Sequence, residues 1–153
     1  RVHYWLAEGL GAGKRRVEKW VAALAAADEV VTVEVDGEEA LVEAGCAGSL
    51  VGTDPVPSVR LLPAQDQWVV GPGTADPVVV PPEHRKEVTA RANLLVLGGV
   101  VGGTWVARDG ALTVTPWATG PDLGRGALAD ELAAQVARVG EVRGKELRPV
   151  VGG

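Results

Sequence analysis

Hydrophobic positions first recur at helical spacing and then alternate. Val17, Trp20, Val21 and Leu24 stand at i, i+3, i+4 and i+7, which at roughly 100° per residue gathers them into one stripe. The pattern predicts a helix over residues 13–26. Arg15 and Lys19 fall on the side away from the stripe, with Arg16 beside them. Val31, Val33 and Val35 then alternate with Thr32 and Glu34, the period of a strand over residues 30–35. Asp36-Gly37 suits a tight hairpin turn, and residues 40–42 return as a second strand. Upstream, residues 2–7 read as a short helical piece, and Gly9, Gly11 and Gly13 punctuate a turn. Helix, turn, helix and two-stranded hairpin is the order of a winged helix-turn-helix, here without its first helix and strand. Residues 1–44 are therefore expected to form a partial winged-helix unit.

Gly45, Gly48, Gly52, Pro55 and Pro57 crowd residues 45–58, which read as a linker. Beyond it the pattern is mostly β. Strands are expected over residues 59–62, 68–70, 94–97, 100–108 and 111–117, with Asp109-Gly110 turning the last pair. Residues 78–80 are bracketed by Pro77, Pro81 and Pro82, so they read as an edge or extended segment. A helix over residues 126–139 carries Leu128, Leu132, Val136 and Val139 on one stripe and Asp130, Glu131, Gln135 and Arg138 on its polar face. A short last strand is expected within 146–151. The fold class is α+β: a partial winged helix-turn-helix, then a small β-barrel-like domain over 59–153 with a C-terminal helix.

The length of 153 residues allows one domain or two small ones. An apolar fraction of 46% with a net charge of −5 belongs to a chain that folds. The distribution of charge is more informative than the total. Residues 1–20 hold five bases against two acids, whereas residues 28–43 hold seven acids and no base. Lys14, Arg15, Arg16 and Lys19 are thus candidates to bind nucleic acid, because the second helix of a helix-turn-helix enters the major groove near its N-terminal end. Bases there meet phosphates or guanine edges. A plain solvated helix face has the same look. The acidic hairpin counts the other way, since Asp36, Glu38 and Glu39 on a wing would repel phosphates.

Other chemistry is poorly supplied, and no catalytic residue is assigned. Cys46 is single, which excludes an internal disulfide framework and a multi-Cys zinc site; it is expected to be small and partly buried. His3 and His84 are too far apart for ligand spacing, so no metal is expected and both read as surface histidines. Ser49 and Ser58 lack a nucleophile elbow. The glycine pairs at 98–99 and 102–103 lack a P-loop lysine and more plausibly shape barrel corners. Asp66 and Asp76 read as turn caps or partners of Arg60 or Arg85. No cofactor is expected. Without a signal-peptide pattern or an apolar run of about 20 residues, the expected compartment is the cytoplasm, with no membrane partner. The absence of Met and the opening on Arg1 suggest a piece of a longer protein.

The central block carries a resemblance. Arg60-Leu61-Leu62-Pro63-Ala64-Gln65-Asp66-Gln67 leads to Gly71-Pro72-Gly73-Thr74. Asp76-Pro77-Val78-Val79-Val80-Pro81-Pro82-Glu83-His84-Arg85 follows, and then Gly98-Gly99-Val100-Val101-Gly102-Gly103-Thr104-Trp105. In this order the motifs resemble the C-terminal half of a bacterial, mainly actinobacterial, family of winged-helix DNA-binding domain-containing proteins. Lys19-Trp20 through Asp36-Gly37 and the final helix are similar to that family too. The resemblance implies tandem winged-helix units around a C-terminal β-barrel-like domain. It also implies that some members are DNA glycosylases that remove alkylated bases or unhook interstrand crosslinks. Their catalytic Gln-apolar-Gln motif lies in an N-terminal winged-helix region that this chain is expected to lack. Gln65-Asp66-Gln67 is not that motif, because its middle residue is Asp; it stands where the family has an aromatic residue followed by Asp. The leading expectation is a double-stranded DNA-binding protein, as the C-terminal fragment of a tandem winged-helix protein. One alternative is the scaffold part of a DNA glycosylase acting on alkylated or crosslinked bases. Another is a protein-interaction module without DNA binding, which an acidic hairpin would suit.

Overall fold

The structure, a computed structural model, describes residues 13–35, 37–52, 58–117 and 122–152. The chain divides into two compact units, Arg1–Pro55 and Val56–Gly153. The helix expected over residues 2–7 lies outside the described residues, as does Asp36.

In the first unit, helix α1 (Lys14–Ala26) begins at Gly13, whose extended backbone starts the helix without a side-chain cap. It ends where Asp28 turns into the left-handed region at φ 55°. Strands β1 (Val30–Val35) and β2 (Glu38–Glu43) form an antiparallel hairpin that pairs Val31 with Val42 and Val33 with Ala40. These four share the apolar face that period-two alternation predicts. The stripe on α1 is less covered than its spacing suggests. Val17 is buried, but Trp20 is 48% and Leu24 39% exposed. The hairpin's apolar face is built of short side chains and offers them little to pack against. A 3₁₀ turn (Ala44–Cys46) and a short helix α2 (Ala47–Leu50) follow within the span expected to be a linker.

The second unit is built on a five-stranded sheet of β3 (Val59–Leu62), β4 (Asn93–Leu97), β5 (Val100–Arg108), β6 (Ala111–Pro116) and β7 (Arg148–Val151). The strands lie in sequence order. All neighbours are antiparallel except β6 and β7. That parallel step needs a crossover, which helix α5 (Gly126–Arg143) supplies. The sheet curls but keeps two edges, β3 and β7, so it is a half-barrel rather than a closed barrel. Alternation along β4 splits the core in two. Leu95 joins Val59, Trp105, Leu112, Val114, Leu132 and Val136 in one cluster. Leu94 and Val96 face the other way, onto Val69, Val80, Val88 and Val101.

The second face is covered by two short helices, α3 (Gln67–Val70) and α4 (Arg85–Thr89), and by the turns between them. Two expectations fail here. The apolar run at Trp68 is a helical turn and not a strand. The Asp66 carboxylate accepts a hydrogen bond from Trp68 N at 2.9 Å and so starts a helix where the run alone is ambiguous. Residues 78–80 are likewise turned rather than extended. Asp76 accepts from Val78 N through its side chain and from Val80 N through its carbonyl. α5 runs on past residue 139 to Arg143, and Gly144 ends it at φ 61°, a conformation that glycine adopts at little cost.

Candidate nucleic-acid interface

The four cations singled out in the sequence lie within the first two turns of α1. Lys14, Arg15, Arg16 and Lys19 are all exposed. At roughly 100° per residue, Arg15 and Lys19 lie 40° apart, opposite the Val17–Leu24 stripe, with Arg16 about 60° beyond Lys19 and Lys14 at the edge of the stripe beside Val21. Lys14 lies 3.9 Å from Glu18, with both side chains largely in water; such a pair is worth a few tenths of a kcal/mol. Among the described residues, Arg15, Arg16 and Lys19 join no ion pair. The first turn of the helix holds no acid. The positive end of the helix dipole therefore adds to the charge of Lys14, Arg15 and Arg16 in the first turn, which destabilises the free helix by roughly 0.3–1 kcal/mol for each of them. An incoming phosphate reverses the sign of that interaction.

The hairpin has the opposite character. Glu34 faces Glu39 directly across the strands and both are exposed, a like-charge pair that costs stability. A cavity of about 350 Å³ lined by Leu24, Val30, Glu29 and Glu43 is acidic as well. Neither surface suits an anion.

In the second unit the polar side chains mostly hold the fold together. Glu131 is not simply part of a solvated face: it accepts hydrogen bonds from Val59 N at 2.8 Å and from the Arg60 guanidinium. Those two donors, the Arg60 one first, hold its carboxyl below the usual carboxylate range. Arg60 thus pairs with Glu131 rather than with Asp66 or Asp76. Gln135, on the expected polar face of α5, is buried. Gln65 sits in the left-handed region at φ 61°, in the turn before α3. His84 is not a plain surface histidine. Its ring stacks on Trp117 with centroids 3.7 Å apart, and Nδ1 lies 3.6 Å from Glu87 Oε1. Cys46 is exposed rather than partly buried. Among the described residues, no group of His, Cys, Asp or Glu could hold a metal ion, and no helix is long and apolar enough to cross a membrane. The sequence reading missed the Glu131 clasp, because residues 72 positions apart in the chain leave no local signal. It also missed a second basic cluster at the end of α5.

Against known proteins, a family model described as DNA glycosylase AlkZ-like matches residues 3–142. An interstrand DNA cross-link repair glycosylase of Streptomyces sahachiroi is 38% identical over 133 residues, covering 84% of this chain and 35% of that protein. The solved structure of the S. sahachiroi DNA glycosylase AlkZ superposes with a TM-score of 0.73 at 32% identity, covering 92% of this chain and 38% of that one. The chain thus spans about a third of the length of the curated relative it matches.

Proposed function

The chain belongs to the AlkZ-like DNA glycosylase family, and from that premise we propose that it is a scaffold and DNA-positioning part of a glycosylase acting on alkylated or crosslinked bases. On this reading, residues 1–44 form a partial winged-helix unit with α1 as its recognition helix. Residues 45–58 link it to the half-barrel of residues 59–153. Double-stranded DNA is the partner. Lys14, Arg15, Arg16 and Lys19 contact its phosphates or groove edges. A glycosylase must hold the duplex while it extrudes the damaged nucleotide, and phosphate contacts supply most of that grip.

One observation carries the reading: exposed cations stand at the positive end of a helix, and among the described residues only Lys14 of the four joins an ion pair. No catalytic role is proposed for the three described glutamines. Gln65 and Gln67 flank the helix-capping Asp66, and Gln135 is buried in the unit's interior.

The test is a Lys14→Glu, Arg15→Glu, Arg16→Glu, Lys19→Glu variant of the full chain. Loss of three to four phosphate contacts makes the plot of log affinity against log salt shallower by roughly 3. Unchanged salt dependence sinks the assignment. The protein-interaction reading is favoured by the seven acids over residues 28–43. It prevails if the unaltered chain shows no duplex binding in about 50 mM salt.

A further inference from the structure

The second unit carries a basic cavity that the reading above does not use. It has a volume of about 420 Å³ and is lined by Arg108, Asp109, Arg143 and Lys145 over Ala107, Gly110 and Leu147. The sheet and the end of α5 deliver the charges. Arg108 is the last residue of β5 and Arg143 the last of α5, while Lys145 follows the left-handed Gly144. Among the described residues none of the three joins an ion pair. The cavity thus holds three cations against one carboxylate, in a chain whose total charge is −5.

The frame around the charges is fixed. The Arg143 guanidinium carbon lies 5.5 Å from the centroid of the Trp105 ring, and Trp105 is itself buried, with its indole N–H donating to Leu62 O at 2.9 Å. A guanidinium held by an aromatic ring keeps its in-plane N–H groups available for a forked contact with an oxyanion. Lys145 N donates to Gly140 O at 3.0 Å, which pins the backbone of the second cation. Asp109 and Gly110 both take positive φ, 50° and 73°, so the hairpin turn beneath Arg108 is tight. The negative end of the α5 dipole accounts for cations at residues 143 and 145. It does not account for Arg108, which comes from the sheet and adds to their mutual repulsion. A bound anion relieves that repulsion.

We propose that this cavity is a second binding site for a backbone phosphate of DNA. The ligand's identity rests on the DNA-positioning role proposed above; the site itself rests on the three convergent cations. Two variants of the full chain test it by duplex binding across a salt series. Arg108→Gln with Arg143→Gln and Lys145→Gln removes one phosphate contact and makes the salt dependence shallower by roughly 1. Asp109→Asn removes the one opposing charge, and Asn tolerates the positive φ at that position, so affinity rises about threefold to tenfold in low salt. A gain of affinity cannot come from misfolding, so Asp109→Asn decides if the triple variant melts early. Unchanged or weaker binding by Asp109→Asn, or an unchanged salt slope in a folded triple variant, overturns the proposal. If millimolar inorganic phosphate raises the melting temperature of the unaltered chain but not of the triple variant, while the duplex slope is unmoved, the ligand is free phosphate and the DNA assignment falls. If the α1 charge reversal leaves duplex binding intact but the cavity variants shift it, the cavity stands and the α1 reading falls.

Discussion

At the scale of single residues, carboxylates do most of the placing. Asp66 and Asp76 each accept from a backbone N–H two residues on, a local motif legible from residue type and spacing. Glu131 instead joins α5 to the edge strand β3 over a long span of chain, and no local pattern announces it. Its effect is nevertheless measurable. The carboxyl is held below its ordinary range by the Arg60 guanidinium and by Val59 N–H, so ionised Glu131 favours the folded state. That contribution is fully present above the unfolded-state value of about 4.3 and disappears as pH falls through the depressed folded value. Glu131→Gln is therefore expected to lower stability by about 0.5–1 kcal/mol at neutral pH, discounted for the solvent around the pair. The difference from the unaltered chain shrinks as pH falls below the unfolded-state value and through the lower folded one. Urea midpoints measured across that range check the claim, and a pH-independent difference contradicts it.

At the scale of elements, glycines decide how the sheet bends. A bulge interrupts the β4–β5 ladder between Leu95 and Val96, so that Gly102 is the extra residue between partners Val101 and Gly103. A Cβ on Gly103 would lie 2.5 Å from Thr115 O and 2.9 Å from Pro116 Cα, both backbone atoms of β6. Gly103→Ala forces the strands apart and is expected to cost about 2–3 kcal/mol. A Cβ on Gly102 would meet Leu97 Cδ1 at 2.9 Å, the end of a side chain that can rotate. Gly102→Ala therefore costs about 1 kcal/mol or less. Thermal melts of the two variants separate them, and equal losses contradict the account. The role of this pair in shaping the sheet was readable from sequence, as were β3 to β7, with β5 and β6 made plainest by their length and the Asp109-Gly110 turn between them. The misread elements were short. Three apolar residues at each of 68–70 and 78–80 fit helix, turn and strand alike, and a preceding Asp tipped both toward turns. The stripe on α1 was misjudged for a different reason. Spacing shows which side chains share a face, not how much surface waits to cover it. The cationic cavity was invisible for the same kind of reason as the Glu131 clasp: Arg108 and Arg143 converge only through the packing of α5 on the sheet.

At the scale of the whole molecule, the two units differ in how much core each holds. The half-barrel buries two clusters, one on each face of the sheet. In the first unit, Val17 is the one buried hydrophobic residue among those described, and Trp20, Leu24, Val35 and Leu41 are exposed. Backbone ordering costs roughly 1–2 kcal/mol per residue, and only apolar burial of the half-barrel's extent offsets that sum. The roughly 40 described residues of that unit, with so little buried surface among them, fall below what folds unaided. The consequence is testable by expressing the units separately. Residues 56–153 are expected to melt in one cooperative transition with dispersed amide signals. Residues 13–52 alone are expected to show little fixed structure. Cooperative folding of the small unit in isolation would contradict this, as would its absence in the larger one. The expected asymmetry bears on function. Cations at the start of α1 weaken a helix that is already thinly packed, whereas the α5 cavity is set in the better-packed unit. If DNA contacts α1 as proposed, hydrogen exchange in α1 and its hairpin should slow on adding duplex far more than in the half-barrel.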